Sequence, residues 1–568
     1  MSRGISDDGV VSALGDAVSE PGRRGWATID KTVFGVSAGI IVVVCLLGVM
    51  FTKPVGDVTS AALAWITGNA GWLFILGATG FVIFALVLAF GRFGSIPLSR
   101  EGQGTEFSTL SWVAMMFSAG MGIGLMFFGV YEPVTHLASP PPFVDAAPNS
   151  PEAANAAMAY TFFHWGLHPW AIYSVVGLAL AYSTYRMGRG NLMSAPFQAL
   201  VGKERIEARG WGKPIDILAI ICTKFGSATS LGLGALQIAA GISLLRTGTL
   251  DDNPGTALPI IIICVLTVGV VLSAASGLAK GIKWLSNTNM VLSAVLVVFV
   301  FVVGPTVFIL NLLPAAIGTY LTELVPMSFH SAVFGGEDWL ASWTIFYWAW
   351  WISWTPFVGT FIARISRGRT IREFVLGVLL VPTAVSMLWF VVFGGAGLNL
   401  QLGGVDIAGT GSEAAGFFAA LQQYPLFVGS AVVVMVLTAV FFISGADAGA
   451  LVLGTLSSRG RKDPWKPLVI FWAVLTGAVA AVLLYVGGLG ALQTFTILAA
   501  TPFVLIIIGL CVSLYVDLRR DPLRQRTLGA VRTTSEVLGT VPFTHPATDG
   551  GDDGGDGDAS PPTVPRTN

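Results

Sequence analysis

The sequence predicts an all-α integral membrane protein with twelve transmembrane helices. Of its 568 residues, 54% are hydrophobic and 11% are charged, so the chain is far more apolar than a soluble domain. Apolar stretches of about 20 residues, the length that crosses a bilayer core of roughly 30 Å, recur from residue 33 to residue 516. These stretches are continuous, whereas the strands of a membrane β-barrel alternate in polarity over about 10 residues.

The twelve predicted spans follow one another with short polar connections. Their approximate bounds are 33–52, 71–90, 108–131, 159–184, 214–245, 257–275, 290–312, 341–363, 375–397, 426–445, 465–487 and 495–516. Residues 1–30 contain no apolar core of signal-peptide type, so the first span is predicted to be retained. Residues 1–30 and 517–568 flank a twelve-helix domain at 31–516, and their composition predicts that they are largely disordered.

The positions of lysine and arginine predict the orientation. Of the 31 basic residues, 28 lie in the N-terminus, the tail and alternate connections between spans. Basic connections stay on the cytoplasmic side, so both termini are predicted to be cytoplasmic in a cell inner membrane. The connection between spans seven and eight carries Glu323, Glu337 and Asp338 without a base, as expected of an external loop.

Spans three and eight carry matching interruptions. Residues 118–124 of span three read Ser-Ala-Gly-Met-Gly-Ile-Gly, and residues 351–359 of span eight contain Pro356 and Gly359. Paired interruptions of this kind are typical of transporters built from inverted repeats. The two spans are five apart, which predicts five-plus-five inverted repeats at about 105–315 and 340–516, with spans one and two as peripheral helices.

Glycines and aromatic residues near the middle of the spans are candidate ligand-binding groups. Gly120, Gly122 and Gly124 would expose backbone to a ligand, although close helix packing produces the same pattern. Trp170 and Tyr173 share one helix face in span four, which also holds Trp165. Span eight is unusually rich in tryptophan: Trp343, Trp348, Trp350, Trp351 and Trp354. These rings would suit a quaternary ammonium, which cation–π attraction holds, and generic aromatic packing is the alternative.

Three motifs resemble the betaine/carnitine/choline transporter family. They are Ala119-Gly120-Met121-Gly122-Ile123-Gly124-Leu125-Met126-Phe127, His164-Trp165-Gly166-Leu167-His168-Pro169-Trp170-Ala171-Ile172-Tyr173, and Trp348-Ala349-Trp350-Trp351-Ile352-Ser353-Trp354 followed by Arg364-Ile365-Ser366-Arg367-Gly368-Arg369. The resemblance implies twelve helices with the inverted repeats of amino-acid symporters, a homotrimer in lipid, and a small quaternary-ammonium substrate. It implies no nucleic-acid partner and no cofactor beyond possible sodium ions.

The resemblance also implies roles for the aromatic residues. Trp165, Trp170, Tyr173 and Trp351 match the aromatic box around the ammonium head, and Trp350 and Trp354 match positions along the same pathway. The segment Gly120–Gly124 matches an unwound helix, and choline-type relatives can place an acidic residue at the last of these positions. Glycine at that position favours a zwitterion such as glycine betaine, imported by alternating access.

Two sodium sites follow from the same resemblance. One would use carbonyls near Ser118 and Met121 with hydroxyls on the span-ten segment that begins at Phe441; Ser444 keeps one hydroxyl there and Gly445 lacks the other. The second would use Thr223 and Ser227, one helical turn apart on span five, near Phe357. The departure at Gly445 leaves sodium symport open to an alternative.

Lys224 supplies that alternative. It is predicted to lie near the middle of span five, where an isolated lysine costs about 2.5 kcal/mol or more. It would replace a sodium ion, titrate to couple transport to protons, or simply face water or a carboxylate. Sodium symport and sodium-independent transport of choline, carnitine or betaine, by proton coupling or exchange, both remain open. A channel or a membrane enzyme is a remote alternative, because neither a continuous polar pore nor a nucleophile with its base is evident.

Overall fold

The computed structural model describes residues 25–100, 102–120, 122–248, 255–276, 278–410, 412–521 and 523. No β-strand forms within these residues, and helices make up almost all of their regular structure. The longer helices are α1 Lys31–Met50, α2 Thr52–Phe90, α3 Thr109–Gly120, α4 Ile123–Ala138, α5 Pro151–Trp165, α6 Leu167–Ala181, α7 Lys213–Thr247, α8 Ala257–Ser276, α9 Leu278–Val303, α10 Thr306–Phe329, α11 Phe346–Ile365, α12 Ile371–Leu402, α13 Gly416–Gln422, α14 Phe427–Ser457 and α15 Lys466–Arg519. Shorter turns lie at Gly25–Thr28, Tyr182–Arg186, Ala195–Phe197, Gln198–Val201, Lys203–Glu207, Ala332–Phe334, Glu337–Leu340 and Ala341–Ile345.

Eight of the described helices are long and apolar enough to cross a membrane, which confirms a multi-pass membrane protein. They are α1, α2, α7, α8, α10, α12, α14 and α15. Predicted spans eleven and twelve both lie in α15, which breaks where Gly487 and Gly488 leave the helical conformation. Gly488 has φ +61°, a conformation that glycine adopts without steric cost.

Spans three and four are each divided into two helices. The break in span three separates α3 from α4, and Gly122 at the start of α4 is fully extended. The break in span four lies at Gly166 and is not predicted from the sequence. A Cβ atom at Gly166 would lie 2.4 Å from the Phe162 carbonyl oxygen, so the chain can turn in this way only at glycine.

The predicted interruption of span eight is wrong, because α11 continues through Pro356. Proline cannot donate to the Ile352 carbonyl one turn earlier, which would leave that oxygen unpaired inside the bundle. The Thr355 hydroxyl donates to this carbonyl instead, at 2.7 Å. The side chain next to the proline therefore replaces the missing backbone bond, and the helix stays continuous.

The connection after span seven is a helix and not the predicted external loop. Helix α9 ends at Val303, and α10 begins at Thr306 after Pro305, so the predicted span 290–312 crosses a real boundary. Helix α10 packs against α5 and α12 on one side, while Val307 and Val325 are exposed on the other. Its apolar pattern is interrupted by Pro314, Pro326 and Glu323, which explains why it was missed.

The bundle is held by close approach between helix pairs. Helix α6 packs along α11, α4 along α12, and α7 against both α14 and α11. Small residues allow this: a Cβ atom at Gly359 of α11 would lie 3.3 Å from the backbone nitrogen of Gly177 in α6. Helices α4, α6, α7 and α11 consequently face one another around a shared interior space.

The described residues from 25 to 518 belong to one compact unit. The predicted disordered segments lie mainly outside the described residues. Within the first of them, residues 25–30 are ordered, contrary to the prediction. Ile29 is buried, and the Asp30 amide donates to the Ser457 carbonyl at 2.9 Å.

Candidate functional site

A cavity of about 550 Å³ lies where α4, α5, α6, α7 and α11 meet. Helix α4 contributes its first residues, α7 contributes Ser230, and Ser386 comes from α12. All but one of the predicted substrate-binding residues line it: Gly122, Gly124, Trp165, Trp170, Tyr173, Trp350, Trp351 and Trp354. The remaining one, Gly120, ends α3, and its surroundings lie outside the described part of the chain.

The aromatic rings meet at steep angles. Trp165 lies edge-on to Trp351, with centroids 4.9 Å apart and planes at 73°, and Tyr173 is inclined to Trp351 by 74° at 6.3 Å. Trp170 lies edge-on to Tyr173 at 5.4 Å, whereas Trp350 stacks on Trp351 at 4.9 Å. Rings at these angles form the walls of a box, which is the arrangement that surrounds a quaternary ammonium with π faces.

Gly124 lets two of these rings close over the backbone of α4. A Cβ atom there would lie 2.6 Å from the Trp165 ring and 2.7 Å from the Trp350 ring. The Trp350 indole is fixed from its other side because its N–H donates to the Ser230 hydroxyl at 3.1 Å. Glycine at position 124 therefore serves close approach of rings to backbone and does not require an unusual φ.

A buried carboxylate, missed in the sequence, orients the box from behind. The Trp165 indole donates to Glu132 Oε2 at 2.8 Å, Tyr347 donates to the same oxygen, and His164 Nδ1 lies 2.7 Å from Oε1. The Trp351 indole donates to the His164 carbonyl at 3.1 Å. Glu132 is completely buried and lies at the end of an apolar stretch of the sequence. Burying a carboxylate inside a membrane costs free energy, and this cost was the signal by which the sequence could have identified Glu132 as a functional residue.

A second cavity, of about 1640 Å³, continues from the aromatic box. Gly122, Ser230 and Trp354 line both cavities. The second contains four of the predicted ion-coupling residues: Ser227, Phe357, Phe441 and Ser444. It extends to Arg364 at the end of α11, whose side chain is half exposed. The box is thus connected to the surface on the Arg364 side.

The opposite side of the box is closed by packed aromatic rings. Phe128 is buried against Trp165, Trp350 and Tyr347, with centroids 5.4–6.1 Å away. Beyond it, Tyr131 donates to Glu413 at 3.2 Å. We call Phe128, Tyr131, Trp343 and Tyr347 the aromatic layer.

The mouth of the second cavity carries an ion pair. Arg364 Nη2 donates to Glu106 Oε1 at 2.7 Å, and Nη1 donates to the other carboxylate oxygen. Glu106 lies outside the predicted spans, in the connection that precedes α3. Hydrogen bonding to the Arg364 guanidinium lowers the pKa of the Glu106 carboxyl from its usual value.

Two predicted ion-coupling residues lie away from both cavities. The Lys224 ammonium donates to the Trp472 carbonyl at 2.7 Å and to the Thr476 hydroxyl, and it lies 5.0 Å from the Trp472 ring. It is therefore buried between α7 and α15. The Thr223 hydroxyl is buried without a hydrogen-bond partner among the described residues. Met121 and the side chain of Ser118 lie outside the described part of the chain.

Replacing Lys224 by Met tests its placement. We expect the ion dependence of uptake, whichever ion drives it, and the KM for substrate to stay within about twofold of wild type, because the side chain reaches neither cavity. The change should appear instead as a shift in thermal unfolding of the detergent-solubilised protein. Altered ion dependence in uptake assays would place Lys224 in the coupling machinery.

Comparisons with known proteins agree in assigning a family. A family model described as a betaine/carnitine/choline family transporter matches residues 32–523. The chain is 44% identical to the glycine betaine transporter OpuD of Bacillus subtilis over 494 residues, covering 86% of this chain and 95% of that one. It is 41% identical to the betaine/ectoine transporter LcoP of Corynebacterium glutamicum, over 92% of this chain and 83% of that one. The ectoine/hydroxyectoine transporter of Virgibacillus pantothenticus is 38% identical, over 85% and 95% respectively.

Proposed function

Because the chain belongs to the betaine/carnitine/choline transporter family, we propose that it imports glycine betaine by alternating access, driven by sodium symport. The protein is a membrane transporter and not an enzyme. The observation that carries the substrate proposal is the box of Trp165, Trp170, Tyr173 and Trp351 around one cavity. A trimethylammonium head offers no hydrogen bond, so π faces are the groups that bind it best.

The polar groups of the cavity favour a zwitterion over a simple cation. No charged side chain of the described residues lines the box, so the substrate must bring its own counter-charge. The amino-terminal end of α4, at Gly122 to Leu125, borders the same cavity. Its free backbone N–H groups and the positive end of the helix dipole would bind a carboxylate. The ammonium would then occupy the box and the carboxylate the start of α4.

Ectoine is a second candidate substrate. Two relatives of 38–41% identity are named for ectoine transport. Ectoine is likewise a zwitterion, with a delocalised cation and a carboxylate, so the same two subsites would serve it. Choline is a weaker candidate, because its charge would be left without a partner in the box.

Sodium symport is supported by the contents of the second cavity. Ser227 of α7 and Ser444 of α14 offer hydroxyl oxygens there, beside Phe357 and Phe441. Sodium binds preferentially to oxygen ligands of this kind. The sodium-independent alternative, with Lys224 as a resident cation, has less support because the Lys224 ammonium is already bound by α15.

We further propose twelve spans with five-plus-five inverted repeats. Seven of the eight span-length helices coincide with predicted spans, and the eighth, α10, forms the connection after span seven. The other five predicted spans fall on α3 with α4, on α5 with α6, mainly on α9, on α11 and on the second half of α15. In such a repeat, span three corresponds to span eight and span four corresponds to span nine. A contact between spans three and nine should therefore be matched by a contact between spans eight and four. Both contacts occur, as α4 with α12 and α6 with α11.

The proposal also includes the conformational state of the transporter and its orientation in the membrane. The distribution of basic residues supports an orientation with Arg364 and both termini on the cytoplasmic side of a cell inner membrane. The second cavity then opens inward and the aromatic layer closes the outer side, which is the inward-facing state of an alternating-access cycle. A homotrimer is proposed on the family resemblance alone.

Uptake into proteoliposomes tests the proposal. We expect radiolabelled glycine betaine to accumulate under an inward sodium gradient, and unlabelled ectoine to compete more strongly than choline. Replacing Ser444 by Ala should raise the sodium concentration for half-maximal uptake at least about threefold, since it removes one ligand oxygen. Replacing Ser458, a buried serine outside both cavities, by Ala is the matched control. Accumulation that does not depend on sodium would contradict sodium symport and favour the sodium-independent mechanism.

A further inference from the structure

We propose that Glu132, His136 and His164 form a binding site for a transition-metal ion such as Zn²⁺, next to the aromatic layer. One carboxylate oxygen and one nitrogen from each imidazole lie within 4.8 Å of one another. All three side chains are completely buried. Two neutral imidazoles and a carboxylate are a ligand set that Zn²⁺ takes in proteins, with water as the fourth ligand.

His136 supplies the strongest evidence. It lies one turn after Glu132 on α4, and its Nε2 is 3.7 Å from Glu132 Oε1. Neither ring nitrogen has a hydrogen-bond partner among the described residues. The nearest rings, Trp343 and Trp339, lie 4.5 and 5.4 Å away and present no acceptor. A buried imidazole with both nitrogens unpaired is rare, and a metal ion would bind the nitrogen that faces Glu132.

His164 is held in an orientation that suits a ligand. Its Nε2 lies 3.0 Å from the Thr344 hydroxyl, and its Nδ1 faces Glu132. Without metal, Nδ1–H donates to Glu132 and Nε2 accepts from Thr344. With metal, the proton sits on Nε2 and is donated to Thr344, so the ring stays neutral and no proton is released. Outer hydrogen bonds of this kind fix the tautomer of metal-binding histidines.

Binding requires the three ligand atoms, now within 4.8 Å of one another, to adjust their separations. Nδ1 of His164 and Oε1 of Glu132 are 2.7 Å apart, which is a hydrogen-bond distance. Ligand atoms about 2.0–2.1 Å from Zn²⁺ at tetrahedral angles lie roughly 3.3 Å apart, so this pair must separate by roughly half an ångström. The other carboxylate oxygen stays anchored by Trp165 and Tyr347.

A bound ion would hold the outer side of the transporter closed, and we call this effect the lock. This consequence rests on the proposed function. Its ligands come from α4 and α5, and Thr344 precedes α11, so one ion joins three segments. These segments carry the aromatic layer, which must separate when the outer side opens. Micromolar Zn²⁺ should therefore inhibit uptake by holding the inward-facing state.

Metal binding is measured directly on the purified full-length protein, with Co²⁺ as a spectroscopic probe. We expect one Co²⁺ per chain, with visible d–d bands of a four-coordinate site that Zn²⁺ abolishes. His136→Gln should lower the affinity at least about tenfold. The matched control is His330→Ala, since His330 bonds Tyr160 outside the cluster and its loss should leave Co²⁺ binding intact. Absent bands in wild type, or unchanged binding in His136→Gln, would overturn the site.

The lock is tested separately by uptake. Without added metal, His136→Gln should transport at the wild-type rate, because its side chain contacts neither cavity. Zn²⁺ should inhibit wild type and His330→Ala but spare His136→Gln. Uninhibited wild-type uptake at Zn²⁺ concentrations that saturate the site would overturn the lock. Co²⁺ binding needs no transport, so failure of the proposed substrate leaves the binding result intact.

Discussion

A Trp351→Ala variant should bind glycine betaine about 30-fold more weakly than wild type. The Trp351 ring contacts Trp165 and Tyr173, so its loss opens one wall of the box and removes the support of two others. A desolvated cation–π contact is worth about 2 kcal/mol, which corresponds to this change in affinity. Equilibrium binding of radiolabelled glycine betaine to the purified protein gives the affinity without requiring turnover.

Two further variants separate binding from folding. Trp351→Phe keeps a π face and should lose less affinity than Trp351→Ala. Trp65→Ala removes an exposed ring from α2, far from the box in the chain, and should bind as wild type does. If Trp351→Ala is monodisperse and thermally stable yet binds with unchanged affinity, the aromatic box does not hold the substrate.

A Gly124→Ala variant should lose at least about tenfold in both affinity and uptake. The added methyl group would lie 2.6 Å from the Trp165 ring and 2.7 Å from the Trp350 ring, well inside contact distance. Both rings must move, and Trp165 is tied to Glu132 while Trp350 is tied to Ser230. Binding and uptake assays together show whether the loss arises at the site.

Gly122→Ala is the matched control on the same segment. A Cβ atom at Gly122 meets nothing within 4 Å, and its extended backbone accepts alanine without strain. Because it leaves the Trp165 and Trp350 rings in place, this variant should lose much less affinity than Gly124→Ala. Equal losses in the two variants would mean that the segment needs backbone freedom at both glycines, and ring packing over Gly124 would then not explain its role.

Much of the helical architecture was predictable because bilayer thickness dictates the length of an apolar run. Conformation within a run was harder to predict. The break at Gly166 depends on the Phe162 carbonyl and is invisible in composition, while α11 continues through Pro356 because Thr355 supplies a hydrogen bond. Helix α10 was not predicted because Pro314, Pro326 and Glu323 interrupt its apolar sequence, and such residues are typical of loops.

The candidate site was predictable where residue type alone indicates chemistry. The tryptophans of spans four and eight gather around one cavity, because the helices that carry them pack face to face. The direction in which a side chain points depends on neighbours that the sequence does not reveal. Lys224 and Ser227 lie on adjacent turns of α7, yet Lys224 binds α15 whereas Ser227 lines the second cavity. Glu132 was overlooked because the residues that hydrogen-bond to it lie on two other helices, α5 and α11.

The central claim, that the box recognises the positive charge of a quaternary ammonium, is tested most directly with 3,3-dimethylbutanoate. This carbon isostere of glycine betaine keeps the three methyl groups and the carboxylate but replaces the charged nitrogen by carbon. Competition against radiolabelled glycine betaine on the purified protein compares the two affinities. The isostere should bind about 30-fold more weakly, since it keeps the shape and loses the cation–π attraction. Equal affinity would contradict the claim, because the box would then recognise shape and apolar surface alone.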